Sequence, residues 1–236
     1  MQIKVYETPL ETAKNFAEYL YLKSKIKTSK DEFFHLAISG GKTPEYLFKV
    51  LADRDDLDWN KIKLFWVDER CVPPDNDDSN YRVTKEVLLD NIDMPAENIF
   101  RMKGELDPDK AAADYSEILR KNVPLKNNLP SFDILFLGLG EDGHTASIFP
   151  GNLEILDSEK LCLHTVQPYT KQNRLTLSAK VINNAAEVSF LITGENKAKI
   201  FNQIINKSPG SINYPAYHIS TMDKNLIYWL DKSVVV

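Results

Sequence analysis

The sequence predicts an α/β fold in which a mostly parallel sheet is flanked by helices. Two observations carry this prediction: short apolar runs alternate with longer amphipathic segments, and polar or glycine-rich residues end several of the apolar runs. Such alternation is typical of parallel sheets, in which a helix returns the chain between strands. The length of 236 residues, without an internal repeat or a long linker, predicts a single domain over residues 1–236.

Hydrophobic spacing places the individual elements. Leu10, Ala13 and Phe16 recur at intervals of three or four residues, which predicts a helix over residues 8–27. The predicted strands cover residues 3–6, 33–38, 62–67, 132–137, 161–166, 174–177, 187–192, 226–230 and 234–236. The remaining predicted helices cover residues 44–52, 80–90, 109–121 and 195–205, and residues 68–79 are predicted to form a polar loop.

Composition excludes several classes of function. The net charge of −5 provides no basic excess, which argues against a nucleic-acid partner. No apolar stretch approaches the roughly 18 residues of a membrane span, and the first residues lack the apolar segment of a signal peptide. Cys71 and Cys162 lie far apart without metal-ligand spacing, so we expect no disulfide framework and a cytoplasmic location. The sequence leaves open whether the chain is a monomer or a homodimer.

The ends of four predicted strands carry unusual residues. These are residues 39–44, 68–70, 138–144 and 193–197. Because ligands of open parallel sheets bind beyond the carboxyl ends of the strands, we expect these four segments to meet at one site.

A glycine-rich loop follows the second predicted strand. Gly40 and Gly41 allow a ligand to approach the backbone, Thr43 is positioned to cap the next helix, and free N–H groups there bind phosphate. A nucleotide-binding P-loop is excluded because Leu36 occupies the position of its first glycine. Phosphate binding by the shorter loop and a plain tight turn both remain open. Ser39 is not a convincing nucleophile, since the elbow motif that would activate it is incomplete.

Residues 138–143 match the G-x-G-x-x-G pattern of dinucleotide-binding proteins. That interpretation requires an acidic residue about 20 positions further on, and residues 161–166 contain none. The charges of Glu141 and Asp142 would also repel a pyrophosphate. We therefore expect a turn that presents Asp142 and His144. The adjacent carboxylate either orients the imidazole and raises its basicity or caps the turn, and both alternatives remain open. No histidine pair has metal-ligand spacing, so no metal site is predicted.

Three cations follow or flank predicted strands: Arg70, Arg174 and Lys197. A single cation at such a position is usually a surface residue. Three that converge at one edge of the sheet would form a site for an anion. Arg70 is also a candidate to stabilise an oxyanion, with the backbone N–H groups of residues 140–143 as competitors.

Five segments together resemble the 6-phosphogluconolactonases: 38–44 (ISGGKTP), 66–73 (WVDERCVP), 79–82 (SNYR), 138–150 (GLGEDGHTASIFP) and 194–198 (GENKA). The resemblance implies a Rossmann-like sheet and hydrolysis of 6-phospho-D-glucono-1,5-lactone to 6-phosphogluconate, a step of the oxidative pentose phosphate pathway. It implies neither a metal nor an organic cofactor. It also implies that His144 is the general base and that Arg70 belongs to the active site. Similar sugar-phosphate enzymes bind the phosphate on residues that match loop 39–43, Arg174 and Lys197.

Two alternative functions remain open. Glucosamine-6-phosphate deaminases share the Asp-Gly-His turn, but the glutamate that assists their histidine is replaced here by Phe149, and their Asp-Glu-Tyr is Asp-Glu-Arg with Arg70. Both departures favour the lactonase. A non-catalytic sugar-phosphate sensor would use the same pocket, and the presence of both Asp142 and His144 argues against it.

Overall fold

The computed structural model describes residues 1–221 and 225–235. Its strands are β1 (Gln2–Tyr6), β2 (Phe34–Ile38), β3 (Ile62–Trp66), β4 (Asp68–Arg70), β5 (Ile99–Phe100), β6 (Leu125–Lys126), β7 (Leu129–Pro130), β8 (Ile134–Leu137), β9 (Cys162–Val166), β10 (Asn173–Leu177), β11 (Val188–Ile192) and β12 (Leu226–Asp231). Its α-helices are α1 (Pro9–Thr28), α2 (Lys42–Ala52), α3 (Asn80–Val87), α4 (Pro108–Asn122), α5 (Ala179–Asn183) and α6 (Ala198–Ile205). None of the helices in the described ranges is long and apolar enough to cross a membrane.

Seven strands form a central parallel sheet in the order β1-β12-β11-β8-β2-β3-β5. The prediction of a mostly parallel sheet flanked by helices is therefore confirmed. The chain proceeds from β2 to β3 on one side of the sheet and from β8 to β11 on the other. The strand order consequently reverses between β2 and β8, and ligands of such sheets bind at this point.

Buried apolar side chains explain why the central strands and helix α1 form. Every residue of β2, β8 and β11 is buried, as expected for strands covered on both faces. Helix α1 begins where the Thr8 hydroxyl accepts a hydrogen bond from the Glu11 N–H, at 3.2 Å. Its Phe16 packs edge-on against Phe136 of β8, with the ring centroids 5.7 Å apart. This packing fixes α1 against the sheet and leaves the carboxyl edge of β8 free to carry a site.

The prediction of a polar loop over residues 68–79 is wrong at its start. Residues 68–70 form β4, which pairs antiparallel with β10, and β10 pairs antiparallel with β9. The predicted strands 161–166 and 174–177 therefore belong to a separate three-stranded antiparallel sheet. This small sheet lies beside the end of β3, because the N–H of Leu177 donates to the carbonyl of Val67 at 2.8 Å.

Three further boundaries differ from the predictions. The helix predicted at 195–205 is divided into a 3₁₀ turn, Glu195–Lys197, and helix α6. The helix predicted at 80–90 ends at Val87, three residues earlier than predicted. The strand predicted at 234–236 is wrong at its start, because Lys232–Val234 forms a 3₁₀ turn. Val236 lies outside the described residues.

Candidate active site

A cavity of about 540 Å³ lies at the carboxyl edge of the central sheet, at the reversal between β2 and β8. All four unusual strand ends contribute to its wall, as the sequence predicts. Its lining includes Ser39, Gly40, Gly41, Thr43, Asp68, Arg70, Asn80, Gly140, Glu141, His144, Ala146, Thr193, Gly194, Asn196 and Lys197. The fold therefore concentrates the candidate residues at one place.

The glycine-rich loop presents the start of helix α2 to the cavity. Gly41, with a φ of 109°, precedes the helix in a conformation that favours glycine. The prediction that Thr43 caps the helix is wrong, because the helix begins at Lys42, two residues earlier than predicted, and Gly41 is the residue that precedes it. The Thr43 hydroxyl instead lies 2.9 Å from the Thr193 hydroxyl. Ser39 donates its hydroxyl hydrogen to the carbonyl of Phe136 at 3.1 Å. The free N–H groups at the first turn, rather than the Ser39 hydroxyl, are thus available to an anion.

His144 and Asp142 form a close pair at the turn after β8. One carboxylate oxygen of Asp142, Oδ1, lies 2.5 Å from Nδ1 of the imidazole and accepts the backbone N–H of His144 at 3.1 Å. Asp142 therefore orients the ring and closes the turn with the same oxygen. Burial raises the pKa of Asp142, but the hydrogen bonds and charge of His144 outweigh it, so this pKa lies below its ordinary value.

The hydrogen bond at Nδ1 determines which nitrogen of His144 can act as a base. When Nδ1 carries the hydrogen and donates it to Asp142, the other nitrogen, Nε2, holds the free lone pair. The side chain is 36% exposed and lines the cavity, so water has access to it. Within the described part of the chain, Nε2 has no hydrogen-bond partner. The imidazole is therefore arranged to accept a proton.

Glycines 140 and 143 are required by the geometry of this turn. A Cβ on Gly140 would lie 2.1 Å from Nδ1 of His144, and Gly143 has a φ of +83° with Tyr214 2.6 Å from its would-be Cβ. Two N–H groups close the turn: that of Gly143 on the Gly140 carbonyl, and that of Gly140 on the His144 carbonyl. The G-x-G-x-x-G pattern thus provides room for an imidazole and its carboxylate.

Arg70 and Arg174 are cross-strand neighbours in the small sheet. They are paired in the register of β4 with β10, and each has a buried Nε without a hydrogen-bond partner among the described residues. Arg70 donates from Nη1 to the carbonyl of Asp78 at 2.5 Å and lines the cavity. Burial and the charge of Arg70 lower the pKa of Arg174. Arg174 itself is not part of the cavity wall, so the structure groups it with Arg70 rather than with loop 39–43.

Lys197 lies on the opposite side of the cavity from the small sheet, in the 3₁₀ turn after β11. The turn is held by Asp231, whose carboxylate accepts the N–H of Gly194 at 2.9 Å. Burial lowers the pKa of Lys197, while the charges of Glu141 and Asp142 raise it. Lys197 and the first turn of α2 both line the cavity, so they can act on one anion.

Asp68 and Asn80 also line the cavity. Asp68 belongs to a strand end predicted at the site, but the sequence predicted no role for either side chain. The carboxylate of Asp68 accepts the Ser147 hydroxyl at 2.7 Å, and the side-chain amide of Asn80 donates to the Asp68 carbonyl at 3.0 Å. Asn80 also fills the space next to Gly40, where a Cβ would meet its amide at 2.2 Å. Asn80 thus connects the glycine-rich loop to β4. Ser79, a residue typical of helix starts, lies directly before Asn80 and could have indicated that Asn80 stands at the first turn of a helix.

Glu69 fixes the start of helix α3 from inside the protein. Its buried carboxylate accepts the Ser79 hydroxyl and the N–H groups of Arg70, Asn80 and Tyr81, at 2.7–3.1 Å. Burial raises the pKa of Glu69, and these backbone N–H groups partly offset the effect. The carboxylate thereby joins the Asp-Glu-Arg segment to the Ser-Asn-Tyr-Arg segment.

The donor set of the described residues does not suggest a metal centre. In residues 1–221 and 225–235, no group of three or more histidine, cysteine, aspartate or glutamate side chains is arranged to hold a metal ion. Cys71 and Cys162 are both unpaired thiols, and burial raises the pKa of each, to about 11 and about 12 respectively.

Comparison with known proteins identifies the family. A family model described as "Glucosamine-6-phosphate isomerases/6-phosphogluconolactonase" matches residues 7–229. The chain belongs to this family. Its relatives include the 6-phosphogluconolactonases of Treponema pallidum, 36% identical over 93% of this chain and 91% of that protein, and of Haemophilus influenzae, 35% identical over 95% and 96%.

Solved structures of family members share the fold over nearly the whole chain. The crystal structure of the Thermotoga maritima 6-phosphogluconolactonase has a TM-score of 0.86 at 29% identity and covers 98% of this chain and 99% of that one. A monomeric glucosamine-6-phosphate deaminase has a TM-score of 0.83 at 18% identity, covering 99% and 98% respectively, and this likeness shows the fold alone. The resemblance noted in the sequence is confirmed.

Proposed function

We propose that this chain hydrolyses 6-phospho-D-glucono-1,5-lactone to 6-phospho-D-gluconate with a water molecule that His144 activates. The chain is a hydrolase, and the relatives to which it is similar in its family are named 6-phosphogluconolactonases. The observation that carries the mechanism is the 2.5 Å contact between Nδ1 of His144 and Asp142, which leaves Nε2 free at the cavity. A lactone carbonyl is electrophilic, so one well-placed base is enough for attack by water.

The reaction proceeds in two steps in this proposal. Nε2 of His144 takes a proton from water while the water oxygen forms a bond to the lactone carbonyl carbon, whose oxygen becomes negatively charged. The bond between that carbon and the ring oxygen then breaks, and the imidazolium returns its proton to the leaving alkoxide. The product is the open-chain acid, and Asp142 stabilises the imidazolium between the two steps.

Arg70 is the better of the two candidates for stabilising the oxyanion. The competing backbone N–H groups lie in the turn of residues 140–143, and those of Gly140 and Gly143 already donate to carbonyls of the turn. Arg70 lines the same cavity and brings a positive charge to it, whereas these two N–H groups of the turn are already engaged. A fixed cation near a developing negative charge stabilises the transition state.

The phosphate site in this proposal is formed by the glycine-rich loop with Ser39, Gly40, Gly41 and Thr43, and by Lys197. Support comes from the first turn of α2 and the Lys197 ammonium, which line the same cavity. Arg174 lies outside the cavity wall, next to Arg70 in the small sheet, and in this proposal it contributes only through its positive charge. In a crystal soaked with sulfate, we expect the ion at this loop, and an ion bound only elsewhere would overturn the placement.

The structure supports the lactonase over the deaminase. Phe149 is buried, with its ring centroid 5.1 Å from that of His144, at the position where a deaminase needs a carboxylate. A phenyl ring cannot transfer the additional protons that deamination and isomerisation require. The test is to measure both reactions on one preparation: lactone opening above the spontaneous rate with background ammonia from glucosamine 6-phosphate supports the proposal. Enzymatic ammonia release without lactone opening reverses it, and absence of both activities favours a sensor.

We also propose that residues 1–236 form one domain and that the protein acts in the cytoplasm without a metal or an organic cofactor. The domain assignment is supported by one hydrophobic core, which extends from helix α1 to Val234 and includes residues of the small sheet. The location is supported by the two unpaired thiols, as expected for a reducing compartment. The mechanism above requires only protein side chains and water.

A further inference from the structure

The exposed side chain of Glu141 lines the cavity and contacts the turn that carries Lys197. Glu141 follows β8, whereas Asn196 and Lys197 follow the neighbouring strand β11. Oε1 of Glu141 accepts the Asn196 side-chain amide at 2.5 Å and lies 3.9 Å from Nζ of Lys197. The glutamate therefore joins the histidine turn to the segment that carries the lysine.

Glu141 is the acidic side chain in ion-pair contact with Lys197 within the described ranges. The lysine side chain is 20% exposed and that of its partner is 65% exposed, so the carboxylate has more contact with water than the ammonium has. A cation this buried has lost most of its hydration, and a nearby carboxylate compensates for part of that loss. The carboxylate itself can turn outward into water at little cost.

A phosphate at the proposed site would compete with this carboxylate. Phosphate monoesters carry a charge of about −1.5 to −2 near pH 7. Placed between Lys197 and the first turn of α2, such a group would approach the Glu141 carboxylate and be repelled by it. The two anions cannot both use the same ammonium without an energetic cost.

From this arrangement, and relying on the function proposed above, we infer that Glu141 is an internal counter-ion of Lys197 that the substrate phosphate displaces. The glutamate compensates for the lysine charge in the free enzyme and moves into water when phosphate binds. It thereby weakens the binding of every anion and favours those with enough charge to displace it. Glu141 is a specificity-determining residue in this account, and it has no role in the chemical step.

Removing the charge of Glu141 should improve substrate binding, because the substrate phosphate then no longer competes with a carboxylate for Lys197. Exposed ion pairs contribute at most about 1 kcal/mol, which corresponds to a change in affinity of about two- to fivefold. We expect E141Q to lower KM for the phosphorylated lactone by this factor and to leave kcat within about twofold of the original value. The gain shrinks as salt is added, since screening weakens the repulsion.

The matched control is E195Q, which removes the same charge from an exposed glutamate of the Lys197 turn that has no ion pair in the described part of the chain. A second control is unphosphorylated glucono-1,5-lactone, for which E141Q should leave KM unchanged. Unaltered KM in E141Q, or an equal decrease in E195Q, would overturn the inference. An increase in KM would also overturn it and would show instead that Glu141 positions Lys197.

Binding of inorganic phosphate tests the inference independently of catalysis. By calorimetry on the full chain, E141Q should bind phosphate about two- to fivefold more tightly than the unaltered protein. This measurement remains decisive even if the protein does not open the lactone, so failure of the proposed function and failure of the inference are distinguishable. Equal phosphate affinities of E141Q and the unaltered protein refute the inference that Glu141 is a displaceable counter-ion of Lys197.

Discussion

A methyl group added at Gly140 is the most direct structural perturbation of the proposed base. The Cβ of G140A would lie 2.1 Å from Nδ1 and 2.3 Å from Cε1 of His144, and 2.7 Å from Oδ1 of Asp142. Gly140 does not have a positive φ, so alanine is compatible with the backbone there. The collision therefore involves side chains that can rotate, and we expect the protein to fold with its imidazole displaced.

The size of this displacement follows from the contact distances. To move from 2.1 Å to an ordinary contact of 3.4 Å, the imidazole nitrogen must retreat by about 1.3 Å, which breaks the 2.5 Å contact with Asp142. Misplacing a catalytic group by about 1 Å can reduce the rate by about 10²-fold. We therefore expect kcat of G140A to fall by about two orders of magnitude.

The assay compares G140A with G138A on freshly generated lactone, with spontaneous hydrolysis subtracted. A Cβ on Gly138 meets no atom within 4 Å, so this control adds a methyl group that does not touch His144. Because Gly138 also lines the cavity, KM is measured as well, so that a contact with substrate is distinguished from a displaced imidazole. We expect G138A to keep kcat within a few-fold of the original value. If G140A melts at the same temperature as the unaltered protein and keeps its full kcat, the position of His144 does not control the reaction and the reasoning is refuted.

Three further predictions concern stability, binding and pH. Tyr115→Phe removes a buried hydroxyl that accepts the N–H of Trp66 and donates to the carbonyl of Trp66, both at 3.0 Å. Chemical denaturation should show that the free energy of unfolding falls by about 1–3 kcal/mol. An unchanged unfolding midpoint contradicts this prediction. Lys197→Ala should raise KM more than it lowers kcat. Arg174→Ala should raise KM less strongly, because Arg174 lies outside the cavity wall. Steady-state kinetics in which Arg174→Ala raises KM more than Lys197→Ala exclude the proposed site. The pKa of Asp142 is depressed in the folded state, so its ionised form stabilises the protein above the unfolded pKa of about 3.9, and this stability is lost as pH falls through the folded pKa. Asp142→Asn should consequently be less stable than the unaltered protein at neutral pH, and the difference in the free energy of unfolding should shrink as pH falls through the folded pKa. A difference that stays constant with falling pH contradicts this assignment.

The sequence predicts the central sheet well because its signals are local. The strands of residues 34–38, 134–137 and 188–192 are continuous apolar runs, and a run of this kind identifies a strand buried on both faces. The meeting of the four unusual strand ends then follows from parallel topology alone. This is why residues as distant as 39 and 197 could be assigned to one site without coordinates.

The small sheet and its consequences could not be predicted from local signals. Residues 68–70 are all charged, and their pairing partner lies about 100 positions further along the chain. Glu69 is buried only because the start of α3 supplies hydrogen-bond donors to it, which depends on tertiary contacts. The same reason explains why Asp68 and Asn80 were missed and why Arg174 was expected at the cavity wall.

Replacement of His144 by asparagine tests the central claim most directly. Both proton transfers of the proposed mechanism pass through Nε2 of this residue, a role that an amide cannot fill. The measurement is kcat for lactone opening by H144N, with the H164N variant as a control that makes the same substitution in the small sheet, away from the cavity. We expect H144N to fold normally and to lose roughly 10²–10⁴-fold in kcat, while H164N keeps its activity. Turnover by a folded H144N at the rate of the unaltered protein would contradict the claim.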